Sequence, residues 1–261
     1  MSTKAYGRMV FWEGASLWVL GTRPGEGPYP KTRFHAHHAV QVTLSLRGWF
    51  TLENRERQVG GDAAAVAPDT EHALAGEGMV AHLYVDPEGE AGREMQRTLF
   101  SGETLVSIPA AGLAGLPARL RTDFESPNRS DQTLIDLGRA LLAKLAPGSE
   151  RDERPEARVR RMAAWAAGRL ETPVSLGDAA AHVGLSTGRA RHLFVEETGL
   201  PFKTYLLWRR LMRATEIFSA GSSLTDAAHG AGFSDSSHLS RTFRRMFGIT
   251  ADSLRLMDTT E

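Results

Sequence analysis

Up to Val85, hydrophobic and polar positions alternate over short stretches. SLWVLGT, AVQVTLSLRGWFTLE, AAAVAP and MVAHLYVD carry β-branched and aromatic residues in partial alternation. A period of two marks strands with one buried face. Turn-rich segments such as GTRPGEGPYP and RQVGGD separate them. Many short strands with such turns predict a sandwich or barrel. From Asp86 the period becomes helical. In SDQTLIDLGRALLAKLAPG, residues 130–148, Ser130 and Asp131 are capping residues. Leu134, Leu137, Leu141 and Leu145 recur at helical intervals, with Ile135 and Leu142 beside them. Such a stripe suits a helix packed on its own domain or a dimerisation helix. The second reading makes these four leucines the expected homodimer interface.

The polar stretch APGSERDERPEA, residues 146–157, reads as an interdomain linker, and everything after it is helical. The expected class is therefore α+β. A strand-rich N-terminal domain, which would also carry dimerisation, covers 1–148, a linker 149–155, and an all-α domain 156–261.

The helical part repeats itself. LGDAAAHVGLSTGRARHLFVEETG, 176–199, lines up with LTDAAHGAGFSDSSHLSRTFRRMFG, 224–248. Leu176, Asp178, Ala179, Ala180, Gly184 and Ser186 match Leu224, Asp226, Ala227, Ala228, Gly232 and Ser234 at an offset of 48. Phe194 and Gly199 match Phe243 and Gly248 at 49, after one inserted residue. A small Ala where two helices cross, a Gly able to turn left-handed, and a Ser to cap the next helix describe a helix-turn-helix, here present twice. The second helix of such a motif enters the DNA major groove by its N-terminal end. That explains a start of Ser236, Ser237 and His238, polar enough to meet base edges, before the apolar Leu239, Phe243 and Met246. Arg241 is suited to bases, and Arg244 and Arg245 to phosphates. Pro201 and Gly221 bracket about 19 helical residues, or ~28 Å. Successive major-groove faces lie about 34 Å apart, so one chain is expected to read two adjacent segments.

Composition narrows the field. Apolar residues make up 41% and charged residues 24%. The absence of cysteine removes disulfides, thiolate chemistry and Cys-based zinc sites. There is no signal pattern or apolar run of spanning length, so a cytoplasmic protein without a membrane partner is expected. The zero net charge hides a split: 14 Lys and Arg against 11 Asp and Glu over 156–261, and 17 against 20 over 1–155. The basic part is the one with the repeat.

Over residues 156–257 the segments GLSTGRARHLFVEETGLPFKTYL, RRLMRATEIF and LTDAAHGAGFSDSSHLSRTFRRMFGIT resemble the AraC/XylS family of transcription regulators. The resemblance implies a regulator rather than an enzyme, with double-stranded promoter DNA as partner and RNA polymerase as a further one. Its first recognition helix would use Gly188, Arg189, Arg191 and His192, and its second Ser236, Ser237, His238, Ser240, Arg241, Arg244 and Arg245. Gly188 and Ala190 stand where bulkier residues are usual, and Ala251 replaces a common proline.

FHAHHAVQVTLSLRGWF and VAPDTEHAL are similar to the two cupin motifs. In cupin enzymes two His and a Glu of the first motif and a His of the second hold a metal. Here His35, His37 and His72 are present, but Gln41 stands at the Glu position. A neutral amide is a poor ligand, although three His can hold zinc with an open position. The rival is an organic effector pocket with His35, His37, Gln41 and His72 as polar contacts and Phe34, Trp49 and Tyr84 as apolar walls. Histidines with no ligand are a third reading. The expectation is a small-molecule effector, no metal and no cofactor. A metal-dependent cupin enzyme or metal sensor fused to a DNA-binding tail is the alternative function, and a structural adaptor a further one.

Overall fold

The computed structural model describes residues 5–22, 25, 27–127, 130–148 and 157–253. The expected linker, 149–155, lies outside them. Two compact units emerge: Met1–Arg151 with Phe243–Glu261, and Asp152–Thr242.

The first unit is built on one antiparallel sheet. Its strands are β1 (Ala5–Trp12), β2 (Ala15–Thr22), β3 (Val40–Glu53), β4 (Gln58–Gly60), β5 (Ala63–Val66), β6 (Ala73–Val85) and β7 (Leu105–Ile108). The order is β1-β2-β6-β3-β5-β7, with β4 paired to β3. The backbone of the sheet is the long β3–β6 pair, whose register slips at a bulge between Ser45 and Arg47. Just past the bulge Gly48 and Gly78 face each other, with φ of +85° and +94°. A Cβ on either would collide with a carbonyl of the opposite strand, so no side chain fits this crossing.

Alternation divides the residues of the sheet between two faces. Val40, Val42 and Leu44 of β3, with Met79, Ala81 and Leu83 of β6, enter a core shared with three helices. These are α1 (Glu90–Leu99), α2 (Leu116–Glu125) and α3 (Asp131–Leu145). Ser130 caps α3, accepting a hydrogen bond from the Thr133 amide at 3.1 Å. Leu134, Leu137, Leu141 and Leu145 all point into this core and are at most 6% exposed. The stripe therefore belongs to the chain's own interior and does not form the dimer interface expected of it. An apolar stripe requires a buried face, and the sheet supplies it. The opposite face of the sheet carries Gln41, Thr43, His82 and Tyr84, all buried.

The second unit is helical. It holds α4 (Ala157–Ala167), α5 (Leu176–His182), α6 (Thr187–Thr198), α7 (Phe202–Ser219), α8 (Leu224–Gly230) and the start of α9 (Ser236–Phe247). Val159, Met162, Ala179, Ala180, Ala190, Leu193, Phe194, Phe202 and Tyr205 form a core among α4 to α7. No helix among the described residues is long and apolar enough to cross a membrane.

Candidate nucleic-acid interface and effector site

The two copies of the repeat fold alike. Ser175 caps α5 in a capping box with Asp178, and Ser223 caps α8, accepting from the Asp226 amide at 3.0 Å. Each first helix ends in a left-handed glycine, Gly184 at φ +70° and Gly232 at φ +79°. The same turn bond closes each corner: the Leu185 amide donates to Ala180 O, and the Phe233 amide to Ala228 O, both at 2.9 Å.

The second helices differ at their starts. Ser186 caps α6 as its spacing predicts, accepting from the Arg189 amide at 3.3 Å. In the other copy the cap is Asp235 and not Ser234. Asp235 Oδ1 accepts from the His238 amide at 2.7 Å, and the Ser234 hydroxyl donates to Asp235 Oδ2 at 3.0 Å. The extra residue of the second copy thus lies in the turn, and the two helices run in phase. Ala190, Leu193 and Phe194 on α6 and Leu239, Thr242 and Phe243 on α9 are the matching buried positions.

The remaining positions face outward. On α6, Gly188, Arg189, Arg191 and His192 are exposed. On α9, Ser237, Arg241, Arg244 and Arg245 are exposed, while Ser236, His238 and Ser240 are half-buried. Ser240 donates its hydroxyl to Ser236 O at 2.8 Å, which leaves its oxygen as an acceptor. His238 packs edge-on against Phe233, with ring centroids 5.1 Å apart. Among the described residues no salt bridge engages Arg189, Arg191, Arg241, Arg244 or Arg245, so their charge is available to an anionic partner.

In the first unit His35 and His72 pair through their backbones, each amide donating to the other's carbonyl at 2.9 Å. This brings His35, His37 and His72 together, with one nitrogen from each lying within 4.8 Å of the others, all three residues buried. Burial pushes the His37 imidazole down to about 3, with His35 beside it adding to the effect, and His35 and His72 are also lowered by burial. All three are neutral at pH 7. Carbonyls only accept, so His35 Nδ1 donates to Arg33 O and His72 Nδ1 to Thr70 O, both at 2.8 Å. Their Nε2 atoms are then bare acceptors. His37 Nε2 meets Gln41 Oε1 at 2.8 Å and must donate to it. Gln41 Nε2 donates to Thr43 Oγ1 at 2.9 Å, and Thr43 lies 3.0 Å from His82 Nδ1. His72 Nε2 and Gln41 Oε1 stand 3.3 Å apart, acceptor facing acceptor.

The helix-turn-helix domain profile matches residues 179–257. The activator RhaS of Klebsiella pneumoniae (strain 342) is 22% identical over 94% of each chain. RhaS of Escherichia coli (strain SE11) is 28% identical over 49% of this chain and 47% of its own. Among solved structures, ToxT from Vibrio cholerae O395 superposes with a TM-score of 0.58 at 10% identity, covering 99% of each chain. The chain belongs to the AraC/XylS family of helix-turn-helix regulators. It is a DNA-binding transcription regulator and not an enzyme.

Against that family identity, the expected site residues fall into three groups. The α6 and α9 residues lie on the helices a helix-turn-helix offers to DNA. His35, His37, Gln41, His72 and Tyr84 converge in the N-terminal unit. Phe34 and Trp49 do not join them, being 40% and 47% exposed. Trp49 loses its expected place to strand alternation, and Phe34 to the bend that precedes the His35–His72 bridge. His35 turns inward and sends Phe34 out, where Arg55 lies 5.5 Å from its ring. Phe50 and Leu52 take the buried face and leave Trp49 outside. The aromatic rings that lie against the cluster are instead Trp18, 4.9 Å from Tyr84 between ring centroids, and Phe247, 4.9 Å from Trp18 and 5.9 Å from His37. Phe247 groups with this first unit. Thr43 and His82 were missed as well. The period of two already placed Thr43 beside Gln41 and His82 beside Tyr84.

Proposed function

We propose that this protein is a cytoplasmic transcription regulator controlled by a small organic effector that binds at His35, His37, Gln41, His72 and Tyr84. The observation that carries this reading is an acceptor facing an acceptor: His72 Nε2 and Gln41 Oε1 stand 3.3 Å apart with no proton between them, beside His35 and His37. Buried acceptors require donors. An effector with N–H or O–H groups supplies them, while Trp18, Tyr84 and Phe247 cover its apolar part. A small-molecule ligand is also in keeping with the fold, since ToxT of Vibrio cholerae strain SCE256, which shares it, has been solved bound to an unsaturated fatty acid.

On the DNA side, Ser236, Ser237, His238, Ser240 and Arg241 read bases in one major-groove segment, with Arg244 and Arg245 on phosphates. Gly188, Arg189, Arg191 and His192 serve a second segment. The partner is promoter DNA, with RNA polymerase alongside. Pairing of two chains on one promoter uses a surface other than the α3 leucines. The effector acts by binding two arrangements of the protein with different affinity.

One observation favours a second reading. Three neutral imidazoles, two of them oriented by backbone carbonyls, fit a zinc-type cation, with Gln41 as a neutral neighbour. A single preparation tests both. Protein purified without a His-tag or chelator is analysed for metals and screened by thermal shift against hydroxylated and amine-bearing metabolites, beside His72→Ala. A metabolite that stabilises the metal-free wild type but not the variant supports the organic effector. Stoichiometric zinc, iron or nickel that the variant lacks replaces it with a cation sensor.

A further inference from the structure

The two repeats are alike in their turns but not in what those turns touch. A Cβ on Gly184 would meet nothing within 4 Å. A Cβ on Gly232 would collide with the carbonyl oxygen of Leu170 and stand 3.0 Å from Arg210 Nε. Leu170 lies between α4 and α5, in the segment leading into the first helix-turn-helix. Arg210, on α7, grips that segment at two points: Nε donates to Leu170 O and Nη2 to Thr172 O, each at 3.0 Å. The Leu170 carbonyl is thus the meeting point of three elements, namely the α4–α5 segment, α7, and the turn of the second helix-turn-helix.

An α-helix alone does not fix both motifs. The length of α7, 18 residues or about 27 Å, sets their separation. The first motif is held to α7 by the core they share, while the second joins α7 through the short turn Gly221–Ser223, where backbone torsion sets its angle. A guanidinium fork donating to two carbonyls removes that freedom, because its two bonds define a direction as well as a point. The bare turn glycine then lets the second motif close down on the clamped segment.

We propose that Arg210 is a positioning residue for DNA reading. It fixes α9 relative to α6 and thereby the spacing of the two DNA segments one chain accepts. The inference rests on the reading of α6 and α9 as the two base-reading helices. Arg210 touches no DNA in this scheme and acts only through Leu170, Thr172 and the turn at Gly232.

The absence of cysteine allows a direct measurement on the full chain. Glu196→Cys on α6 and Ser237→Cys on α9, both exposed, each take one spin label, and pulsed electron resonance without DNA gives their distance distribution. With Arg210 intact the distribution should be narrow. Arg210→Gln should broaden it at least twofold, Arg210→Lys, with one point of attachment, less so, and Gly184→Ala not at all. In parallel, a duplex selected from a random pool by the unlabelled wild type is lengthened by one base pair between the two segments. The wild type should lose at least tenfold in affinity and Arg210→Gln less than threefold, with far-UV dichroism unchanged. Equal widths and equal penalties in the wild type and Arg210→Gln overturn the clamp and leave the two-helix reading standing. A wild type indifferent to the insertion overturns that reading, and the label distances then decide the clamp alone. Should Arg210→Gln fail to fold, Arg210→Lys carries the comparison, and wild-type width and penalty in that variant overturn the proposal.

Discussion

Arg244 and Arg245 stand exposed in the last turn of α9, and no salt bridge among the described residues engages either one. If they meet phosphates, their removal has a defined signature. Each phosphate neutralised by Lys or Arg contributes about −0.9 to the slope of log affinity against log salt. Replacing both by Ala should flatten the slope by about 1.8. Between 50 and 200 mM salt that corresponds to a loss of affinity about 12-fold smaller than in the wild type. The deficit at low salt should be the same on any duplex, because phosphates carry no sequence information. Fluorescence anisotropy at four salt concentrations, on a selected and a scrambled duplex, measures both quantities. Arg241→Ala is the internal contrast: it should cost about 1–3 kcal/mol on the selected duplex and little on the scrambled one. A double variant whose slope stays within about 0.3 of the wild type, or one that loses affinity only for the selected duplex, would refute the phosphate assignment.

Other consequences are accessible to simple measurements. Leu141 is fully buried, so Leu141→Ala should cost the N-terminal unit about 2–5 kcal/mol in denaturant melts, with light scattering of the folded variant matching the wild type. A variant of wild-type stability but altered oligomeric state would restore the dimer reading of α3. His82 is pushed down to about 4 by burial, with His35 nearby adding to the effect, so the unfolded chain takes up its proton first. Its contribution is present above pH 6.5 and lost as pH falls toward 4, on the order of 3 kcal/mol, and His82→Gln should flatten that acid limb in pH-dependent melts. His38 has the opposite sign. Burial opposes its charge, but Asp69 at 2.8 Å and Glu88 at 3.4 Å outweigh it and raise it to about 9. Its contribution is full below pH 6.5 and fades as pH rises through 9, so His38→Gln should remove an alkaline limb. A Cβ on Gly188 meets open space, so Gly188→Ala should stabilise α6 by up to about 1 kcal/mol, read as a higher midpoint in thermal melts.

The DNA-binding half was legible because its signals are local. The Ala and Gly spacings, the Ser caps and the offset between copies each depend on a few neighbouring residues, and the structure returns them nearly one for one. The single miss, Ser234 as a cap, arose where the offset changes from 48 to 49: the inserted residue moved the cap to Asp235. The N-terminal half was legible in its strands and in its histidine cluster. The aromatic residues around that cluster were not. Whether Trp49 faces inward depends on the bulge after Ser45, which only the paired strands decide, and the direction of Phe34 depends on the isolated bridge that His35 makes with His72. The α3 stripe gave the right face and the wrong occupant. Amphipathicity tells that a surface is covered, and the covering partner is a property of the tertiary fold.

The placement of the extra residue has a practical side. Because it lies in the turn, the segments from Thr187 to Gly199 and from Ser236 to Gly248 are equal in length and bury the same four positions, Ala190 with Leu239, Leu193 with Thr242, Phe194 with Phe243 and Thr198 with Phe247. They are exchangeable cassettes. Grafting one into the place of the other, with Ser186 or Asp235 left behind as the cap, should produce a folded chain with the same base preference at both ends. A regulator of this build can therefore be rewired one segment at a time, provided that Phe247 is kept at the end of the second helix, against Trp18 and His37.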